Sequence, residues 1–430
     1  MNRGQKILLL ILISITLGSF SLADAKDAFS LPDVLDDKYG IDLYGFIEGR
    51  QGWRLQKNPY QKDASISEIR TQLDLSKDAD WGIIKLKGDL VSDQVEEKVY
   101  AELREFNVAF SPLDFMDIKV GRQTLTWGTG DLLFVNDLFP KDWQSFFIGR
   151  DDEYLKAPSD TVKISMFFDL VDIDLLYSPM FNASQYIDGT RLSYWNSILG
   201  RTAGRDFVFG DHELNRSFRD DEYAGRLSKS VGGIELSVYG YHGFWKTPEG
   251  LDGKEVQLWY PELSVYGASA RGALWGGISH LEVGYYDSPD DSDGNDPLIR
   301  NSEMRMLAGF EQELAYDFTG GFQYYLEWMQ DHDAYSNTLP VGMPVKDKFR
   351  HVLTLRLTKL LMNQNLRLSL FTYYSPSDQD GYVRPKIHYK MTDQWALETG
   401  ANFFAGKDDY TFFGQFKDNT NAYAGLRWSF

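Results

Sequence analysis

Alternation of apolar and polar residues runs through almost the whole chain, and it constrains the fold more than any other feature of the sequence. Near the start, Leu43, Ile47 and Trp53 fall on odd positions, whereas Glu48 and Arg50 fall on even ones. Successive side chains of a β-strand point to opposite faces, so this pattern predicts strands with one apolar and one polar face. No long stretch repeats at 3.6 residues, and we therefore expect few helices.

Counting the alternating segments predicts an all-β chain of about 18 strands, with 16 as the alternative. Their lengths suit tilted strands that cross a membrane, which need about 9–11 residues each. The predicted strands are residues 41–55, 65–75, 81–91, 100–110, 115–127, 159–168, 172–180, 219–230, 234–245, 259–271, 278–287, 299–315, 319–330, 348–360, 365–375, 381–391, 394–404 and 419–430.

The connections between these strands alternate in length. Alternate connections are short: 76–80, 111–114, 169–171, 231–233, 272–277, 316–318, 361–364 and 392–393. The others are generally longer: 56–64, 92–99, 128–158, 181–218, 246–258, 288–298, 331–347, 376–380 and 405–418. Outer-membrane barrels have short periplasmic turns and longer outer loops in this alternation. The sequence therefore predicts a transmembrane antiparallel up-and-down β-barrel.

The first 25 residues have the features of a secretory signal peptide. Arg3 and Lys6 precede a short apolar run, and Ala23 and Ala25 provide a small-x-small cleavage site. The run is too short for a spanning helix, although an uncleaved anchor is the alternative. We predict a signal peptide over 1–25, a periplasmic segment over 26–40 and the barrel over 41–430.

Composition narrows the classes further. The chain contains no cysteine, which excludes disulfides, thiolate metal sites and a cysteine nucleophile. Its formal charge of −19 argues against a nucleic-acid partner, which requires a basic face. Aromatic residues make up 15% of the chain although the mean hydropathy is only −0.37. A barrel with a lipid face, a polar lumen and aromatic girdles has this combination.

The last strand ends in Leu426, Trp428 and Phe430, which alternate with Arg427 and Ser429. In this it resembles Gram-negative outer-membrane β-barrel proteins. The resemblance implies location in the outer membrane, contact with its lipid and lipopolysaccharide, and recognition of the terminal Phe430 by the barrel-assembly machinery.

A second resemblance lies in the segment that begins Val120-Gly-Arg-Gln and continues through Trp127-Gly128, Asp131 and Pro140-Lys-Asp142. It is similar to a pattern of poorly characterised porin-like outer-membrane proteins, some near alginate-export-type barrels. In porins the third outer loop commonly folds into the barrel, and loop 128–158 is third here. Its apolar residues would be costly to leave in water as an outer loop. Folded inward, it would bring carboxylates to the constriction: Asp131, Asp137, Asp142, Asp151 and Asp152.

The polar strand faces supply the predicted pore lining. The candidate basic residues are Arg50, Arg54, Arg70, Lys85, Lys87, Lys119, Arg350, Arg356, Arg367, Arg384, Lys386 and Lys390. Six of these residues lie on three consecutive strands and predict a basic wall: Arg350, Arg356, Arg367, Arg384, Lys386 and Lys390. Such a wall opposite acidic groups selects solutes by charge. The alternative is that these charges pair with one another and only keep the lumen wet.

Other chemistry finds little support. Gly128-Thr-Gly130 lacks the strand–loop–helix context of a phosphate site, and the six histidines show no metal-ligand spacing. We predict no enzyme activity, no catalytic residue, no metal and no cofactor. Acidic loop 287–296 is either a solvated loop or a divalent-ion site. Loop 181–218 is an alternative plug for the pore.

The prediction is therefore an outer-membrane porin through which small hydrophilic solutes diffuse, passively or with mild charge selectivity. A non-conducting interaction barrel, such as an adhesin or a scaffold, is the alternative, and a barrel hydrolase is a third.

Overall fold

The computed structural model describes residues 35 to 430, except 37, 213, 215 and 255. The predicted signal peptide, 1–25, and most of the predicted segment 26–40 lie outside the described residues. Eighteen long strands form one sheet. They are β1 (Asp42–Arg54), β2 (Ala64–Ala79), β3 (Gly82–Asp93), β4 (Lys98–Leu113), β5 (Met116–Thr124), β6 (Pro158–Phe167), β7 (Asp172–Ser178), β8 (Glu222–Val231), β9 (Ile234–Phe244), β10 (Glu262–Leu274), β11 (Gly277–Asp287), β12 (Glu303–Ala315), β13 (Phe318–Met329), β14 (Phe349–Leu361), β15 (Leu366–Ser375), β16 (Asp380–Lys390), β17 (Trp395–Gly406) and β18 (Asn421–Ser429).

The sheet closes on itself. Each strand pairs antiparallel with its neighbours in sequence, and β1 pairs with both β2 and β18. At the closure Ile47 lies opposite Trp428, and Glu48 lies opposite Arg427. Closure leaves no unpaired strand edge, which a spanning sheet requires. The predicted up-and-down barrel of 18 strands is confirmed, and the alternative of 16 strands is wrong.

The two ends of the barrel differ as the connection lengths predict. One end carries eight short turns, such as 80–81 and 232–233, and is called the turn end. The other carries nine connections, including 125–157 and 179–221, and is called the loop end. Two loop-end connections are shorter than predicted, 94–97 because pairing extends both flanking strands and 376–379 because pairing starts β16 one residue earlier.

The two faces of the strands also differ. Apolar residues on the outer face are exposed, including Ile69 at 61%, Val238 at 50% and Leu281 at 57%. Residues of the opposite parity point inward, and several charged ones among them, such as Arg70 and Asp89, are buried. An apolar outer face and a polar lumen are the arrangement of a barrel in lipid.

Among the described residues, helical structure lies in the connections and in the segment before β1, where residues 35, 36, 38 and 39 are helical. In the connections the α-helices are α1 (Trp143–Ile148) and α2 (His332–Thr338), and 3-10 turns cover Asp152–Leu155, Pro289–Asp291 and Gly414–Asn419. Among the described residues, no helix has the length and hydropathy needed to cross a membrane. Small hairpins pair Tyr194–Asn196 with Arg201–Ala203, and Gly250–Asp252 with Gln257–Trp259.

The C-terminal residue is integrated at the barrel closure. The backbone N–H of Phe430 donates to Gly45 O at 3.0 Å, and the N–H of Gly45 donates to Phe430 O at 3.1 Å. Its side chain packs beside Leu43 and Leu73, together with Leu35 from the segment that precedes β1. The terminal strand is thus paired to its last residue.

Candidate functional site: the barrel lumen and its inserted loop

The connection from β5 to β6, residues 125–157, lies inside the barrel and is called the inserted loop. It touches walls contributed by widely separated strands. Tyr286 of β11 donates its hydroxyl to Val135 O at 2.5 Å, and Tyr373 of β15 donates to Leu132 O at 2.8 Å. At the far end of the loop, Arg50 of β1 donates to Gly149 O. The inserted loop therefore spans the lumen from one side to the other.

The glycines near its start permit this course. Strand β5 ends at Thr124, earlier than predicted, and the chain then turns inward. Gly128 has φ +76°, a left-handed conformation that favours glycine. A Cβ on Gly130 would come within 2.6 Å of Leu307 Cδ2 on the barrel wall. The Gly-Thr-Gly cluster thus serves close approach to the wall.

Glu282 of β11 anchors this turn. Its carboxylate accepts hydrogen bonds from Gly130 N at 2.7 Å, Thr129 Oγ1 at 2.8 Å and the backbone N–H of Thr129. The second carboxylate oxygen accepts from Asn136 Nδ2 at 2.9 Å and Asn136 N at 3.1 Å. The Glu282 side chain is only 4% exposed. One inward acid thereby satisfies five donors of the inserted loop, a role the sequence analysis did not identify.

The centre of the inserted loop is aromatic. Helix α1 begins after Asp142, whose carboxylate accepts from Ser145 N at 2.8 Å as an N-cap. The helix carries Phe146 and Phe147 into a cluster on the wall, where Phe147 lies 5.3 Å from Phe404 between ring centroids. Phe146 lies 5.8 Å from Tyr382. Packing against the wall removes these rings from water, which stabilises the inserted position.

Ion pairs attach the inserted loop to the predicted basic wall. Asp152 pairs with Arg384 at 2.6 Å and with Lys386 at 3.0 Å. Asp131 pairs with Arg356, with Nη2–Oδ1 at 2.7 Å. Burial raises the pKa of Asp152, but Arg384 and Lys386 outweigh it and hold that pKa at about 2. The carboxylate therefore remains ionised, and its attraction to the wall persists, until the pH falls through about 2.

The other three predicted constriction carboxylates are also partnered. Asp151 lies 3.3 Å from Arg427 Nη2. Asp137 forms a buried pair with Lys141 at 2.8 Å, and Asp142 caps α1 as described. Burial lowers the pKa of the Lys141 ammonium, although Asp137 opposes the shift. All five acids belong to the inserted loop, and they serve its attachment and internal order.

The residues of the predicted basic wall lie beside carboxylates. Arg356, Arg384 and Lys386 pair with acids of the inserted loop, which leaves the predicted wall opposite acidic groups. Arg350 pairs with Asp378 at 2.7 Å. Arg367 and Lys390 lie near the turn end, where both side chains are exposed and Lys390 pairs with Asp393 at 2.8 Å. The net field of the wall is thus weaker than its arginines and lysines alone suggest.

The remaining predicted pore-lining residues point inward and are held by partners. Arg50 pairs with Glu398 at 2.8 Å and with Glu48 at 3.0 Å. Arg70 pairs with Asp89 and lies over the Tyr154 ring, 4.2 Å from its centroid. Arg54 donates to backbone carbonyl oxygens, including Ala64 O. Lys85 pairs with Asp74 and Glu105, Lys87 pairs with Glu153, and Lys119 pairs with Glu105.

On the loop-end side of the inserted loop lies a cavity of about 790 Å³. Its wall combines aromatic rings with charges, including Trp143, Tyr186, Trp245, Tyr410, Lys346 and Arg350. On one side Arg300 bridges Glu249 at 2.9 Å and Glu303 at 3.1 Å, and its guanidinium lies 4.8 Å from the Trp245 ring centroid. Apart from Arg350, this aromatic and ionic lining was not predicted, because the residues named here lie on six connections and two strands whose contacts the sequence does not reveal.

Connection 179–221 covers the inserted loop from the loop end. Trp143 N donates to Gln185 O at 3.0 Å, and Gln144 Nε2 donates to Tyr186 O at 2.9 Å. Arg191, farther along this connection, pairs with the inward Asp93 of β3. The two long loops are therefore layered, with 125–157 in the lumen and 179–221 above it.

The Gly-Arg-Gln segment that carried the second resemblance has structural roles. Gly121 has φ +120°, and a Cβ there would lie 2.3 Å from Phe106 O. Arg122 pairs with Asp160 at 2.8 Å, and Gln123 donates to Thr161 O at 3.0 Å. The segment thus packs β5 against its neighbours immediately before the chain turns inward.

Over the described part of the chain, no group of three or more His, Cys, Asp and Glu side chains is arranged to hold a metal ion. The predictions of no catalytic residue, no metal and no cofactor are not tested by this and stay predictions.

Three solved outer-membrane porins share the fold. OccD3 (OpdP) of Pseudomonas aeruginosa is 9% identical, with 91% of each chain covered and a TM-score of 0.54. OccAB3 of Acinetobacter baumannii is 9% identical, covering 91% of this chain and 99% of that chain, with a TM-score of 0.53. OccK11 (OpdR) of Pseudomonas aeruginosa is 9% identical, covering 91% and 96%, with a TM-score of 0.52. No protein-family model and no curated protein sequence matches the chain.

Proposed function

We propose that this protein is an outer-membrane channel through which small hydrophilic solutes diffuse past the inserted loop. The observation that carries the proposal is the position of residues 125–157 inside a closed, polar-lined barrel. Eighteen strands enclose a lumen wide enough for an aqueous path when it is not filled. A loop attached at several points narrows such a lumen and leaves the barrel itself unchanged.

The polar lining supports passage of hydrophilic rather than apolar molecules. Inward charges occur along the height of the barrel, from Lys390 near the turn end to Arg350 beside the cavity. The cavity of about 790 Å³ falls within the range of small-molecule sites, roughly 300–1,000 Å³. It gives a solute a place to desolvate partly before it meets the inserted loop.

The charge selectivity that we propose is mild. Arg384, Lys386 and Arg356 each lie beside a carboxylate of the inserted loop, so the two signs largely cancel at close range. Opposed charges at 2.6 to 3.0 Å produce a local transverse field more than a net potential. We therefore expect a weak ionic preference, not strict exclusion of one sign.

Recordings from the full-length barrel in a planar lipid bilayer test the proposal. We expect stepwise unitary currents and a small reversal potential in a salt gradient, because the lumen is polar and its charges are paired. A folded barrel that inserts but never conducts would contradict the proposal. That outcome favours the alternative, a non-conducting interaction barrel such as an adhesin or a scaffold.

We also propose how the chain reaches its place in the cell. Residues 1–25 act as a signal peptide cleaved near Ala25, and the barrel resides in the outer membrane in contact with lipid and lipopolysaccharide. The strand that ends at Phe430 is read by the barrel-assembly machinery. The similarity of the Val120–Asp142 region to porin-like proteins, some near alginate-export-type barrels, stays a prediction, and no solute class follows from it.

A further inference from the structure

We propose that the acidic connection between β11 and β12, residues 288–302, holds one divalent cation, calcium, on the side chains of Ser288, Asp291 and Asn301. This goes beyond the channel function and does not depend on it. The proposal starts from buried polar atoms that have no partner. Hydrogen-bonding groups that leave water are nearly always satisfied in native proteins, so a cluster of such atoms is a candidate ligand site.

The unpartnered atoms belong to three neighbouring side chains. Within the described residues, Ser288 Oγ, Asp291 Oδ2 and both side-chain atoms of Asn301 have no hydrogen-bond partner. The residues are 0%, 6% and 4% exposed, respectively. Three of these four atoms are oxygens, and one is a carboxylate oxygen. Calcium prefers carboxylate, amide-carbonyl and hydroxyl oxygens of this kind.

The backbone brings the three side chains to one turn. Ser288 precedes the 3-10 turn Pro289–Asp291, and its N–H donates to Ser302 Oγ, next to Asn301, at 3.0 Å. Gly294 N donates to Asp291 O at 3.1 Å. A Cβ on Gly294 would lie 2.5 Å from Asn301 Nδ2, so Asn301 packs directly against this turn. Asp291 and Asn301 therefore both contact the turn at Gly294, and Ser288 O accepts from Asp291 N at 3.1 Å.

The charge of the connection favours a cation. Asp287, Asp290, Asp291, Asp293 and Asp296 lie within ten residues, with no lysine or arginine among them. The backbone N–H groups of residues 295 and 296 donate to Asp291 Oδ1 at 2.9 and 3.2 Å, which leaves Oδ2 for the cation. A bound cation offsets the repulsion among these carboxylates. Extracellular calcium modules bind calcium at about 10⁻⁴–10⁻³ M, and we expect an affinity in this range.

The neighbouring Arg300 connects this turn to the cavity. It lines the cavity and bridges Glu249 and Glu303, and it directly precedes Asn301 in the chain. A cation on Asn301 would therefore hold the connection that positions Arg300. The inferred site would therefore stabilise the loop-end wall of the cavity.

Calcium titration calorimetry tests the inference on chain refolded from inclusion bodies, which is free of lipopolysaccharide and its own divalent ions. After dialysis against a chelator, we expect saturable binding to a single site. Asp291→Asn and Asn301→Ala should each weaken it about tenfold or more, because the first removes the charge of a ligand and the second removes a ligand. The matched control is Asp293→Asn, which removes the same charge from an exposed side chain of the same connection.

Binding that is absent in the wild-type chain, or that is weakened equally by Asp293→Asn, would overturn the inference. Folding of each variant is checked by its strand signal in circular dichroism. Hydrogen exchange of the wild-type chain gives a second reading that needs no variant. Calcium should slow exchange across residues 288–302, and unchanged exchange at saturating calcium would also overturn the site.

Discussion

Replacing residues 131–150 with a short glycine-serine linker is expected to raise the unitary conductance several-fold. These residues include α1 and the aromatic cluster around Phe146 and Phe147, which occupy the lumen of an 18-stranded barrel. Unfilled lumens of this strand number conduct as wide aqueous channels. The replacement also removes Asp131 and leaves Arg356 without its carboxylate, so the currents should shift toward anion preference.

The matched control for this replacement removes residues 337–342 from the connection that contains α2. That segment is largely exposed at the loop end, and Val341 within it is fully exposed. We expect its conductance to stay within the scatter of the parent barrel. Equal conductance of the parent and the 131–150 replacement, with both folded, would place the inserted loop outside the conduction path.

Substituting Glu282→Ala is expected to release the start of the inserted loop from the wall. Backbone N–H groups of Thr129, Gly130 and Asn136 would lose their shared acceptor. A buried donor left unsatisfied costs about 1–3 kcal/mol, so these donors together favour a loop that moves away to reach water. We expect noisier and larger currents, and faster hydrogen exchange across residues 128–136.

The control for Glu282→Ala is Glu311→Ala on the adjacent strand β12. Glu311 has the same inward parity and the same charge, but no hydrogen bond or ion pair joins it to the inserted loop among the described residues. It reports the effect of charge loss alone. If both variants change exchange across 128–136 to the same extent, or if neither changes it, Glu282 is not the anchor.

The architecture was predictable because strand faces alternate every residue and barrel connections alternate every strand. Ile69 points outward and its neighbour Arg70 points inward, as the alternation along β2 predicts. Strand ends were predicted less well where tertiary contacts decide them. β5 stops at Thr124 and not at residue 127, because Trp127 packs into the barrel against Phe139, 5.2 Å away.

The site was predictable only in part. An apolar third loop is unfavourable in water, so its composition predicted that it folds into the barrel. The residues that the loop contacts could not be predicted, because pairs such as Asp152 with Arg384 and Asp131 with Arg356 join residues more than 200 positions apart. The contact between Glu282 and Gly130 could not be predicted either. The sequence indicates only that Glu282 points inward from β11.

The most direct test of the account is thiol modification of a single introduced cysteine during current recording. The chain has no cysteine of its own, so Leu133→Cys carries the only thiol. Leu133 lies on the inserted loop and lines the cavity. Reaction with a bulky charged methanethiosulfonate added from the loop end is expected to reduce the unitary current, whereas Val341→Cys on the exposed connection should react without effect. Complete modification of Leu133→Cys, shown by mass, with unchanged current would contradict a channel that passes solutes alongside the inserted loop.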